Sequence, residues 1–193
     1  MPLAAFLSLI LVNSHVSAAE NIASYAEKTK QSMEKMKKKR TTWTAQDKAI
    51  MKAADEKLAN ELPNPGLPAG NKAPNFMLEN AFGEIIELNK ELAKGPVVLI
   101  FYRGAWCPYC NLHLHALKKN LPEFEKYGAQ VIAITPQSPD KSAEQVKKDG
   151  FPFQVLSDST TSVMKDYKLY FELPSELMRV YKEHGLDVEE FNG

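Results

Sequence analysis

A chain of 193 residues has room for one ordinary α/β domain and an appendage, and 24 basic against 24 acidic residues create no field for a polyanion, which argues against nucleic acid as a partner. Hydrophobic content of 44% with 25% charged residues excludes a disordered chain. The two cysteines lie three apart, so a bond between them closes almost no loop and adds little chain-entropy stability; their purpose is chemical.

In chain order, Met1 to Ala19 reads as an export signal. Leu3 to Val12 is an apolar run of h-region length, and Val16-Ser17-Ala18 offers small residues for cleavage after Ala18 or Ala19. No Lys or Arg precedes the run, and it is shorter than the ~20 apolar residues of a membrane span, so stable membrane insertion is not expected. The expectation is a periplasmic or secreted protein if the signal is cleaved, with a cytoplasmic location as the alternative. Residues 20–62 read as a helical extension. Ile22, Tyr25, Thr29, Met33 and Met36 form a narrow apolar stripe on a first helix, which Lys35 to Arg40 closes with positive charge suited to a helix C-terminus. A second helix is predicted from Thr44, its N-cap, with Asp47 in the capping-box position and a stripe of Ile50, Ala54, Leu58 and Leu62. The Pro/Gly-dense residues 63–70 form a linker, and the main domain occupies 71–193.

Within that domain, Phe76 to Leu78 and Ile85 to Leu88 flank Phe82-Gly83 as a β-hairpin. Pro96 to Tyr102 is a continuous apolar run, the pattern of a strand buried on both faces. A helix from Pro108 to Lys126, a strand at Gln130 to Ile134, a helix from Ser142 to Asp149 and a strand at Phe153 to Leu156 follow. Asp158 or Ser159 is expected to cap a helix running to Tyr167. A last helix spans Pro174 to His184, with Gly185 as its C-cap. Strand–helix–strand alternation predicts parallel pairing and an α/β fold.

Cys107-Pro108-Tyr109-Cys110 falls where a buried strand gives way to a helix, the edge at which catalytic groups of open parallel sheets gather. Pro108 suits the first helical position, which puts Cys107 at the N-cap and Cys110 near the third position. Free N–H groups and the helix dipole there stabilise a thiolate, and cysteines of such motifs titrate at ~3.5 to 7.5 instead of ~8.5. The spacing also lets the sulfurs meet as a reversible disulfide. Zinc would need four ligands, and Cys107, Cys110 and His113 leave the set incomplete; Asn111 stands where a c-type haem motif requires His. No metal or other cofactor is expected. Arg103 is a candidate to hold peroxide or steady a thiolate, and Trp106 and Tyr109 a candidate substrate-facing rim. His113 and His115 face different ways on the helix and read as packing or surface residues.

The stretch Phe101-Tyr102-Arg103-Gly104-Ala105-Trp106-Cys107-Pro108-Tyr109-Cys110-Asn111-Leu112 resembles the active-site segment of peroxiredoxin-like proteins of the alkyl hydroperoxide reductase / thiol-specific antioxidant family. Ala73-Pro74-Asn75-Phe76, Ile134 to Asp140, Val155 to Asp158 and Tyr181 to Gly193 add to the resemblance. It implies a thioredoxin-like fold, reduction of a hydroperoxide or disulfide substrate, and recycling by a thioredoxin-like or other dithiol partner. It also implies a C-terminal hairpin beyond Asn192-Gly193, where this sequence stops. Aligned on Phe101-Tyr102, Cys110 takes the place of the family's peroxide-reacting cysteine and Cys107 that of a threonine, with Arg103 in place of a proline. Peroxidase chemistry with Cys110 attacking and Cys107 resolving is therefore the expectation. A thioredoxin- or glutaredoxin-like disulfide oxidoreductase is the alternative, with the two roles exchanged. A reading of another class is a non-catalytic interaction module working through the helical extension; it requires a partner complex that survives loss of both cysteines.

Overall fold

The computed structural model describes residues 18–192, so the export-signal reading falls almost wholly outside the described residues. Two helices come first: α1 (Ala18–Lys39), a single 3-10 turn at Arg40–Thr42, and α2 (Ala45–Glu61). Thr44 starts α2 with the expected capping box, its Oγ1 accepting from the Asp47 N–H and the Asp47 carboxylate accepting from the Thr44 N–H, each at 3.0 Å. The domain follows as β1 (Met77–Asn80), β2 (Ile85–Glu87), α3 (Leu88–Leu92), β3 (Val97–Phe101), α4 (Pro108–Glu125), β4 (Gln130–Thr135), α5 (Pro139–Asp149), β5 (Gln154–Ser157), α6 (Ser162–Asp166), α7 (Ser175–Glu183) and α8 (Glu189–Asn192).

The five strands form one sheet in the order β2-β1-β5-β4-β3. β3, β4 and β5 run parallel, with Ile100 beside Ala133 and Ala133 beside Val155, while β1 is antiparallel to both its neighbours. This is the mixed α/β, thioredoxin-like architecture with N-terminal helices that the sequence led us to expect. Alternation along the strands feeds two cores. Ile132, Ile134 and Leu156 face Leu88, Val163 and Met164, whereas Ala133 and Val155 face Leu114 and Leu117 of α4 and Val146 of α5. No helix among the described residues is long and apolar enough to cross a membrane.

Four local expectations are corrected. β3 is half-buried at every residue, not buried on both faces, because it ends the strand order and has one strand neighbour among the described residues. α5 begins three residues early, since Ser138 accepts the Lys141 N–H and Pro139 fits the first turn. α6 begins only at Ser162: Thr161, at φ +58°, is its N-cap, and Asp158 caps from outside by accepting the Met164 N–H at 2.8 Å. The helical stripes also rotate. Ile22 and Met33 of α1 are exposed, and α2 buries Met51 and Ala54, together with Trp43 just before it, against Leu177 and Val180 of α7. Trp43 is the anchor that periodicity missed, because it precedes the helix whose stripe was being read.

The extension is attached at two places. α1 lies along α4, with Asn21 donating to Asn120 at 3.3 Å and Tyr25 facing His113, and α2 lies on α7. Residues 63–70 carry no regular element but are pinned to the domain. Gly66 donates to the Lys168 carbonyl at 3.0 Å, and Leu67 packs against the core.

Candidate active site

The turn from β3 into α4 carries the two thiols. Cys107 is the N-cap of α4 and Pro108 occupies the first turn. The Cys107 Sγ accepts the Cys110 backbone N–H at 3.3 Å and the Arg103 guanidinium at 3.2 Å, and its side chain is fully buried. These contacts have an electrostatic consequence. The hydrogen bond from the Cys110 thiol, the Arg103 charge and the Cys110 N–H together outweigh the burial penalty and bring Cys107 down to about 6. Cys110 is pushed the other way, strongly, first by its hydrogen bond to the Cys107 sulfur and then by burial. The directions of the two shifts favour ionisation at Cys107, the sulfur that accepts from Arg103 and from the helix-start N–H, over Cys110.

Sequence reasoning missed how the turn is held. Gln137, fully buried in the loop after β4, accepts the Ala105 N–H at 2.7 Å, while Asn111 of α4 donates to the Ala105 carbonyl at 2.6 Å. Gln145 of α5 joins the set, receiving the Tyr102 hydroxyl at 2.8 Å and the Gln137 amide at 3.3 Å, and donating to Asn111 at 2.9 Å. Both polar groups of Ala105, two positions before Cys107, are thus clamped by side chains from two separate segments, which Gln145 braces from a third. No spacing rule links residues 105, 111, 137 and 145; the only signal was the polar Asn111 and Gln145 inside otherwise amphipathic helices, and Gln137, in a loop, gave none. Gly104 is also constrained: at φ +143° it passes so close to Trp106 that an added Cβ would sit 2.6 Å from the indole nitrogen.

Of the other candidates, Arg103 bonds the thiolate, and its guanidinium also lies 5.4 Å from the Trp106 ring centroid. Trp106 and Tyr109 line a cleft of about 330 Å³ above the turn, closed on its far side by Arg40 and Trp43 from the extension and by Tyr181 and His184 at the end of α7. Arg103 and Trp106 also border a second, larger cavity of about 550 Å³, lined by Phe101, Tyr170 and Met178. His113 and His115 do not reach the sulfurs: His113 faces Tyr25 and His115 lies 3.6 Å from Asp149, beside Phe151.

The chain is similar in sequence to a thiol-disulfide oxidoreductase and to peroxiredoxins. The thiol-disulfide oxidoreductase ResA of Halalkalibacterium halodurans is 30% identical over 126 residues, 65% of this chain and 69% of that protein. Peroxiredoxin Q, chloroplastic, of Oryza sativa subsp. japonica is 32% identical over 121 residues, 61% of this chain. Peroxiredoxin Bcp of Escherichia coli K12 is 31% identical over 106 residues, 55% of this chain and 67% of that protein. The chain spans about half the length of the rice protein, 55%. Among solved structures, peroxidoxin BcpB of Mycobacterium tuberculosis superposes with a TM-score of 0.51 at 26% identity, covering 54% of this chain and 66% of that one. Residues 69–185, more than half of the sequence and including both cysteines, match the model of the AhpC/TSA family, and the chain belongs to that family.

Proposed function

We propose that the protein is a thiol-dependent peroxidase that reduces hydroperoxides through Cys107 and Cys110 and is recycled by a thioredoxin-like or other external dithiol. One observation carries this reading: an S–H, a guanidinium and a backbone N–H all converge on the Cys107 sulfur, while a protonated thiol waits beside it. Its membership in the AhpC/TSA family and its likeness to two peroxiredoxins support the same chemistry.

In this mechanism the Cys107 thiolate attacks the O–O bond. An S–O bond forms, the O–O bond breaks, and the departing alkoxide takes the proton of the Cys110 thiol to leave as alcohol. With the charge on Cys107 gone, the main influence holding Cys110 protonated disappears. Its thiolate then attacks the sulfenic sulfur, a disulfide forms and hydroxide leaves. An external dithiol reduces that disulfide by exchange. The assignment exchanges the roles that alignment on Phe101-Tyr102 implies. Charge supports the exchange, because only an ionised sulfur is a competent nucleophile at neutral pH. The Cys107 side chain is fully buried, so peroxide reaches it only when neighbouring groups shift.

The test is peroxide consumption by the purified chain, coupled to a thioredoxin system, for wild type and for Cys107→Ser and Cys110→Ser. Loss of single-turnover peroxide reduction in Cys107→Ser alone supports the assignment; loss in Cys110→Ser alone restores the alignment-based roles. A disulfide oxidoreductase is the second reading, favoured by the ResA likeness. It requires reduction of a protein disulfide such as insulin's with no peroxide turnover. Residues 1–19 we read as an export signal, tested by whether the mature chain begins at residue 19 or 20.

A further inference from the structure

The C-terminal end of α1 concentrates charge that the fold itself does not use. Lys35, Lys37, Lys38, Lys39 and Arg40 fall within six consecutive positions, and no Asp or Glu occurs from residue 35 to residue 46. The four lysines are exposed, and none of them takes part in an ion pair among the described residues. Lys52 and Lys57 of α2, by contrast, each pair with a Glu one turn on. A helix dipole favours a cation or two in the last turn, and its reach ends there; it does not account for five.

Tertiary structure brings this charge to the thiols. α1 lies antiparallel along α4: Asn21 meets Asn120, Tyr25 faces Asn120's neighbour one and two turns up, His113, and Lys39 and Arg40 share one cleft with Pro108 and Tyr109. Pro108 and Tyr109 are the two residues between the cysteines, so a protein that approaches the pair over them meets the basic end of α1 at the rim. On the other side of Arg103 the rim is acidic, with Glu172 and Glu189. A chain with no net charge thus presents positive and negative borders on opposite sides of one turn. Such a border steers a partner of opposite sign and fixes its orientation.

We propose that the basic end of α1 is the docking surface for the protein dithiol that recycles Cys107 and Cys110, and that this partner presents an acidic face to it. The proposal rests on the peroxidase reading for the disulfide between the two cysteines. Cys110 is the less buried of them, so the partner's thiolate attacks its sulfur. A mixed disulfide forms, the Cys107–Cys110 bond breaks, and Cys107 leaves as a thiolate beside Arg103. The partner's second thiol gives its proton to Cys110 as it attacks the partner sulfur of the mixed disulfide. Two electrons have then passed to the chain, and the partner leaves as a disulfide. The N-terminal extension acquires a purpose in this scheme: it carries the recognition charge to the edge of the active-site turn.

The full chain, oxidised with diamide so that the test does not depend on peroxide, is mixed with a reduced thioredoxin of net negative charge. The freed thiols are followed by quenched-flow alkylation. The second-order rate constant should fall about tenfold or more between low salt and ~0.5 M. The triple variant Lys37→Gln/Lys38→Gln/Lys39→Gln should lose about fivefold or more of the low-salt rate and most of the salt dependence, while Lys37→Arg/Lys38→Arg/Lys39→Arg keeps both. Dithiothreitol, too small to span the patch, should reduce all three proteins at one rate. An unchanged salt dependence in the Gln variant, or an equal loss with dithiothreitol, overturns the docking surface. So does loss of binding to phosphatidylserine vesicles with reduction by thioredoxin unaltered, which makes the patch a lipid contact. Failure of peroxide to oxidise the pair, with the lysine effect on reduction intact, sinks the peroxidase reading instead.

Discussion

Two turns of this molecule carry an Arg and a Trp at the same spacing, yet they are built differently. The active-site turn, residues 102–111, is gripped through its backbone: Gln137 and Asn111 hold both polar groups of Ala105, and Gln145 ties them to Tyr102. The extension turn, residues 40–43, is held by side-chain packing, with Trp43 stacked on His184 at 4.5 Å and buried against α7. Backbone clamping places atoms to within a fraction of an ångström, as a thiolate and its donors require, whereas stacking tolerates small sliding. Errors in the first turn should therefore cost chemistry, and errors in the second should loosen the docking of the extension.

The largest effect that sharpens this contrast is on the nucleophile. Cys107→Ser should lower peroxide reduction by on the order of 10³-fold or more, measured in single turnover by sulfenic-acid trapping. Arg103→Gln comes next. Arg103 lowers the Cys107 value, so its loss raises it. The inflection of iodoacetamide alkylation against pH, expected near 6 in the wild type, should move alkaline. The alkylation rate at pH 7 should drop about tenfold for each unit of movement past neutrality, and recover well above the new inflection. An unmoved inflection breaks the claim that this guanidinium sets the charge.

Gln137→Ala attacks the clamp rather than the sulfur. It leaves the Ala105 N–H unpaired and a small void, an expected loss of about 2 kcal/mol, or ~4–8 °C in Tm by scanning calorimetry. Thiol reactivity should broaden at the same time. If stability falls while the alkylation profile stays sharp, the network is structural only. The smallest effect belongs to the extension. Asp47 sits below the usual carboxylate range, first because of the Thr44 hydroxyl and backbone N–H and then because of His184. A depressed carboxylate stabilises the fold above its ordinary range and loses that contribution as pH falls through it. Asp47→Asn should thus lower Tm by about 2–4 °C at pH 7 and by progressively less toward pH 3. A difference independent of pH would mean that the carboxylate's charge plays no part.

Much of this protein was legible in one dimension because the determinants are local. The capping box at Thr44 and Asp47, the Pro108 start of α4, the apolar runs of β4 and β5 and the acidity of a cysteine at a helix opening all depend on neighbours within a few residues. β3 was misread because its apolar run specifies a strand but not how many partners that strand has. Two features were settled only by the tertiary fold. The clamp joins residues 105, 111, 137 and 145 from separate segments, and the cleft joins residues 40 and 43 of the extension to residues 103 and 106 of the domain. The sequence by itself determined that a reactive thiol pair would sit at the start of a helix, since backbone amides and a helix dipole follow from the local chain. How that turn is clamped, and which residues wall the space beside it, was decided by groups distant in sequence, since side-chain contacts of that range exist only once the chain has closed on itself.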